Sequence, residues 1–270
     1  MLSAHGARRA LTGLGTDPGS GRGGWTGSAT RRTDRVYRSL LRLGRVLLHL
    51  CSRRTQVGNG HIPRSGPVLV AGNHLSMADA VVLVIAVGRC GRRIRMMSTA
   101  GVFRVPVLGP LLHHVGYVPV YRRSADPAAA LGPARLALEA GECVGLYPEG
   151  AITRLPGRWP ARAKTGVVRL ALDTGAPVVP LAQWGTADLV GDRQRWRALL
   201  SPLTRPRVNV RIGAPLDLRA LLGVTSADAA TPQQLRSGAD AVMDAIVAEL
   251  VLLRGEPAPC GAGRQPNPTP

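Results

Sequence analysis

The apolar positions of this chain change period several times, and each change marks an element. Residues 1–32 show no apolar period and are rich in Gly, Ser, Thr and Arg, which predicts a disordered basic tail. Between residues 35 and 51, Val36, Leu40, Leu43, Leu47 and Leu50 recur at four-three spacing, with Arg38, Arg42, Arg45 and His49 on the opposite face. This predicts a basic amphipathic helix. Such a helix fits a membrane interface, with Leu at the acyl boundary and Arg among lipid phosphates, and equally fits the surface of the domain that follows. From Gly66 onward, short apolar runs alternate with helical stretches. Strands are predicted over 67–71, 94–98, 117–121, 143–147, 178–182 and 208–212, and helices over 78–87, 127–140, 164–174 and 232–253. Strand–helix alternation predicts an α/β fold, a mixed, largely parallel sheet flanked by helices. The chain thus divides into a tail (1–32), an amphipathic helix with its connector (33–65), a folded domain (66–254) and a Pro- and Gly-rich tail (255–270) predicted to be disordered.

Composition adds a bias of charge. The 270 residues hold 35 Lys+Arg against 16 Asp+Glu, a formal net charge of +19. That excess attracts polyanions such as nucleic acid, anionic lipid surfaces or phosphorylated substrates. Aromatic residues are only 3%, with Phe103 the single Phe, which argues against a base-stacking platform for single strands. No helix-turn-helix, zinc or RNA-binding motif is visible, so a basic nucleic-acid-binding protein rests on charge alone. Cys51, Cys90, Cys143 and Cys260 lack zinc-ligand spacing, and reduced thiols are expected. No apolar run reaches the roughly 18 residues of a spanning helix, and the arginine-bearing start has no hydrophobic core of a secretory signal. A Gly-x-Ser-x-Gly elbow is absent, which disfavours a serine hydrolase.

The chemistry concentrates in Gly72-Asn73-His74-Leu75-Ser76-Met77-Ala78-Asp79. An apolar strand precedes it and an apolar helix follows. Imidazole can take a proton from a hydroxyl near neutral pH, and a neighbouring carboxylate holds the ring and stabilises the imidazolium. Residues five apart do not share a helix face, so His74 is expected at or before the helix start, its ring folded back toward Asp79. A loop histidine beside a capping aspartate would have the same sequence.

Three other stretches carry polar residues at expected strand ends, where open α/β sheets gather ligands. They are Gly116-Tyr117-Val118-Pro119-Val120-Tyr121-Arg122-Arg123, Leu146-Tyr147-Pro148-Glu149-Gly150-Ala151-Ile152-Thr153-Arg154 and Ala176-Pro177-Val178-Val179-Pro180-Leu181. Arg122 and Arg154 suit a phosphate because guanidinium offers paired donors.

In this order, NHLSMAD, GYVPVYR, YPEG and APVVPL, the stretches resemble the four blocks of the 1-acyl-sn-glycerol-3-phosphate acyltransferase family. The resemblance covers roughly residues 66–217 and includes the helix around Lys164-Thr165-Gly166 and the strand around Val210-Arg211-Ile212. It implies that His74 is the general base and Asp79 its support. It further implies that Arg122 binds the acceptor phosphate and that Glu149 and Gly150 shape the acceptor site, with Arg154 reaching the phosphate. The implied partners are a lysophospholipid acceptor, an acyl-CoA or acyl-carrier-protein thioester donor and an anionic membrane surface, with no metal, no bound cofactor and no specific nucleic acid. The implied location is the cytoplasmic face of a membrane, as a peripheral protein. The implied product is phosphatidic acid. The chain departs from the family where Tyr121 stands in place of an acidic residue and where Ala151-Ile152 separates Pro-Glu-Gly from Thr153-Arg154. These departures bear on the acceptor, for which another lysolipid or a lipid glycoside is the alternative. Backbone N–H groups near the helix start or in the Glu149-Gly150 turn are the expected donors to a reaction oxyanion.

Overall fold

The structure is a computed structural model that describes residues 31–106, 108–120, 129–189 and 204–268. The tail expected over 1–32 falls almost wholly outside these residues. A seven-stranded sheet is built from β1 (Arg53–Val57), β2 (Val68–Gly72), β3 (Ile94–Thr99), β4 (Val118–Val120), β5 (Cys143–Leu146), β6 (Val178–Trp184) and β7 (Arg207–Ile212). Its order is β1-β7-β6-β2-β5-β3-β4. Strands β6, β2, β5, β3 and β4 are mutually parallel, whereas β7 joins β6 antiparallel and pairs in parallel with β1. The mixed, largely parallel sheet is the one expected from the alternation of elements.

Helices cover both faces: α1 (Arg31–Cys51), α2 (Asp79–Arg89), α3 (Leu108–Val115), α4 (Gly132–Glu139), α5 (Gly166–Thr174), α6 (Leu218–Leu222) and α7 (Pro232–Arg254). Central strand β2 shows why its sequence is apolar throughout. Val68 and Val70 face a cluster with Leu48, Val82, Ile85 and Ala86, while Leu69 and Ala71 face a second cluster with Leu138, Val168, Ala239 and Ile246. Helix α7, the longest in that second layer, begins with a capping box, in which the Thr231 side chain accepts from Gln234 N and the Gln234 side chain accepts from Thr231 N.

Helix α1 carries two apolar faces rather than one. It docks on the domain through Tyr37, Leu41, Gly44 and Leu48. The bare backbone of Gly44 sits against Ile85, Leu41 packs over Gly88, and the buried Tyr37 hydroxyl accepts from Ile94 N at 3.3 Å. An Asp34–Arg93 ion pair at 2.6 Å fixes its first half. The expected stripe is offset by one position from this docked face. Leu43, Val46, Leu47 and Leu50 are each more than half exposed and point away from the domain.

The C-terminal stretch departs from expectation. Residues 255–268, expected to be disordered from their Pro and Gly content, lie along the domain. Gly263 N donates to Pro160 O, Arg162 N donates to Gln265 O, and the Asn267 side chain donates to Ile152 O and accepts from Arg154 N. Composition counted glycines and prolines but could not see that loop 150–163 offers them unpaired backbone partners. The end of α7 reinforces the same loop: the Arg254 guanidinium stacks between the rings of Trp159 and Trp184, at 4.2 and 3.9 Å, and donates to Gly157 O.

A candidate active site at the ends of three strands

The carboxyl ends of β6, β2 and β5 lie side by side, and each sends one segment into a single site. From β2 the chain runs through Asn73 to His74. Asn73 is fully buried and exchanges three hydrogen bonds of 2.8–3.0 Å with Gln183 at the end of β6. That clamp fixes where the next residue leaves the sheet.

His74 lies outside the helix and Asp79 is the first residue of α2, so the five-residue spacing closes across a turn. His74 Nδ1 is 2.8 Å from Asp79 Oδ2. The same oxygen also accepts from the backbone N–H groups of Leu75 and Ser76. The Asp79 carboxylate is completely buried, and these three donors offset the cost of its burial. Since a carboxylate only accepts, Nδ1 carries the proton, and Nε2 is left as the ring's accepting nitrogen. The imidazole retains partial exposure while the carboxylate does not.

Segment Tyr147-Pro148-Glu149-Gly150, after β5, holds His74 from the other side. The Tyr147 ring stacks on the imidazole with centroids 4.1 Å apart and planes 8° from parallel. Glu149, expected to shape the acceptor site, turns its carboxylate inward. Oε1 accepts from His74 N and Oε2 from Ala161 N, both at 2.8 Å. The residue is 4% exposed, and burial pushes its carboxyl up to about 8 against the two N–H groups that favour the ionised form. Thr153 N donates to His74 O at 2.8 Å, which completes a backbone bracket around the histidine. Gly150 occupies the left-handed region at φ +73°, and any side chain there would be strained.

Residues 53–184 match the family model described as acyltransferase. Over this stretch the chain is similar to that family. Similar curated proteins are the 1-acyl-sn-glycerol-3-phosphate acyltransferase of Borreliella burgdorferi, 28% identical over 130 residues, and the chloroplastic enzyme of that name, BAT2, of Brassica napus, 30% identical over 137 residues. The matches cover 48% and 49% of this chain but 50% and 38% of those proteins, so the chain spans half or less of their length. In fold it is similar to the crystal structure of the 1-acyl-sn-glycerophosphate acyltransferase PlsC from Thermotoga maritima. That likeness has a TM-score of 0.62 at 20% identity, over 86% of this chain and 85% of the other.

Several of the N–H groups expected as oxyanion donors are engaged within the protein. The N–H groups of His74, Leu75, Ser76, Ala78, Asp79 and Gly150 each donate to a protein acceptor. Arg122 lies outside the described residues. Arg154 is exposed on loop 150–163, with its backbone tied to Asn267. Sequence reasoning missed the Asn73–Gln183 clamp and the Tyr147 stack. The aromatic ahead of Pro-Glu-Gly was the available signal for the stack. Nothing in the sequence links Asn73 to a residue 110 positions later.

Proposed function

We propose that this acyltransferase moves a fatty acyl group from an acyl thioester, acyl-CoA or acyl-carrier protein, to the free hydroxyl of a lysophospholipid. The acceptor in this reading is 1-acyl-sn-glycerol 3-phosphate and the product phosphatidic acid. The observation that carries it is the His74–Asp79 pair, with Nδ1 committed to a buried carboxylate and Nε2 left to accept. In the reaction, Nε2 takes the proton of the acceptor hydroxyl as its oxygen attacks the thioester carbonyl. The C–S bond then breaks, the thiolate leaves with a proton from the imidazolium, and an ester remains. Direct attack forms no acyl-enzyme and calls on no cysteine. The names of the relatives support the choice of acceptor.

A membrane-borne acceptor accords with the outward face of α1, where Leu43, Val46, Leu47 and Leu50 are exposed on a helix that also carries exposed Arg42 and Arg45. None of the described helices is long and apolar enough to cross a membrane. In this reading α1 lies in an anionic interface.

The test is an acceptor panel with one labelled acyl-CoA and purified protein on anionic liposomes. Lysophosphatidate should be acylated in preference to lysophosphatidylcholine, monoacylglycerol and a lipid glycoside; acylation of none of them refutes the reading. In the same liposomes, serine at Leu43, Leu47 and Leu50 together should lower the bound fraction at least about ten-fold while leaving thermal unfolding unchanged, because these side chains bury little on folding. Equal partitioning of the triple variant and the parent would remove α1 from the docking surface.

A further inference from the structure

Of the 35 Lys+Arg residues, 34 are arginine and one is lysine, and that lysine lies beside the site. Lys164 N donates to Pro148 O at 2.8 Å, which closes loop 150–163 where it begins. The side chain runs back along the Gly150 turn. A Cβ built on Gly150 would meet Lys164 Cε at 3.0 Å and Nζ at 3.2 Å. The residue before Gly150 is Glu149, whose carboxylate holds His74 N. The lysine ammonium is thus carried by the turn that holds the candidate base.

Two properties separate this ammonium from an ordinary surface charge. Its backbone is fixed on both sides, by Pro148 O and by the Arg236 guanidinium donating to Ala163 O at 2.7 Å. The residue is exposed, and its Nζ has no hydrogen-bond or ion-pair partner among the described residues. The arginine bound beside it, Arg236, is spent on Asp240 and Ala163 O. A positioned, unspent ammonium is a compact point charge suited to a phosphate oxygen.

We propose that Lys164 Nζ binds a phosphate group of a substrate at the mouth of the His74 site. The inference rests on the acyltransferase reading, in which both substrates carry phosphate: the acceptor as a monoester, the CoA donor along its nucleotide arm. The shared chemistry is one ammonium on a phosphate oxygen, and the following measurements separate the two sources.

Reductive methylation with 13C-formaldehyde places two labelled methyl groups on Nζ and keeps its charge. With one lysine in the chain, one side-chain resonance reports, distinct from that of the α-amino group. Titrations with sn-glycerol 3-phosphate, with CoA and with glycerol are run at constant ionic strength. A saturable shift with either phosphate compound, absent with glycerol and with equivalent sulfate, is expected. No shift with both, or an equal response to sulfate, overturns the proposal. In turnover, Lys164→Met keeps the stem over Gly150 and removes the charge. It should raise KM for the phosphate-bearing substrate by roughly ten-fold or more while kcat changes less than about three-fold. A rise confined to lysophosphatidate, with lost preference over monoacylglycerol, assigns the acceptor; a rise confined to acyl-CoA, absent with an acyl-pantetheine thioester, assigns the donor. Unchanged KM for both overturns the proposal. If the parent protein transfers no acyl group to any acceptor, the functional reading fails on its own, and the resonance titration still decides the phosphate contact.

Discussion

His74→Ala is expected to lower acyl transfer by roughly 10²–10⁴-fold, the usual worth of a positioned general base. The fold should survive, because the imidazole is partly exposed and its main tie is to Asp79. The three bonds from Asn73 to Gln183, which set the strand exit, do not involve the ring. Asp79→Asn separates orientation from proton acceptance. An amide can present NH2 to Nδ1 and so favour the tautomer whose Nε2 carries the proton, the wrong form for a base. A loss similar to that of His74→Ala is expected. Some loss of stability should accompany it, because Oδ2 also accepts from Leu75 N and Ser76 N. Single-turnover transfer from a labelled thioester, read beside thermal unfolding, measures both effects. A His74→Ala variant that turns over within a few-fold of the parent would sink the general-base role.

Glu149→Ala is the second large effect. The carboxylate is a positioning group, since its two oxygens lie on His74 N and Ala161 N. Its removal leaves two buried N–H groups without acceptors, at about 1–3 kcal/mol each, and frees the backbone that carries the base. A misplacement of about 1 Å can cost on the order of 10²-fold in rate, so kcat should fall by about that much while both KM values change little. A residue that touched the acceptor would instead raise its KM, and that outcome would return Glu149 to the substrate site. Glu149→Gln keeps one acceptor and turns an NH2 toward the other N–H, so an intermediate loss is expected. The two also differ in pH dependence. Burial raises the Glu149 carboxyl from 4.5 to about 8 in the native state, so there it holds a proton that the unfolded chain has released. Its stabilising contribution is therefore full below the unfolded value and is lost as pH rises through about 8. Denaturant unfolding at pH 6, 7.5 and 9 should show the parent losing stability across that range and Glu149→Gln losing less.

The sheet was legible in the sequence wherever burial is two-sided. Strands β2, β5 and β6 announce themselves as continuous apolar runs because helices cover both faces. Strand β1, Arg53-Arg54-Thr55-Gln56-Val57, escaped because it is an edge strand with exposed and half-buried positions alternating, polar enough to read as a connector. Helix α3 escaped because Gly109 and Pro110 stand at its start, and both read as breakers. The meeting of His74 and Asp79 was legible from local spacing. The inward turn of Glu149 was not, because it depends on β5 pairing beside β2, a fact of topology. The role of the apolar stripe on α1 was half legible. Four-three spacing finds an apolar face, but Tyr37, Leu41, Gly44 and Leu48 form a second face at the same period, and a glycine in the docked face hides it. Lys164 had a signal open to simple counting, a single lysine among arginines.

The packing of residues 262–267 along loop 150–163 bears on the order in which the molecule is made. His74 and Asp79 are synthesised early and can meet through their own turn. The loop that holds Ala161 against Glu149 is also fastened by Gly263, Gln265, Asn267 and the stacked Arg254, all synthesised after the last strand. Contacts of such long sequence separation form late in folding. A nascent chain that already displays α1 and the dyad therefore lacks the clasp that steadies the surroundings of the base, and the finished site emerges with the final segment of the described chain.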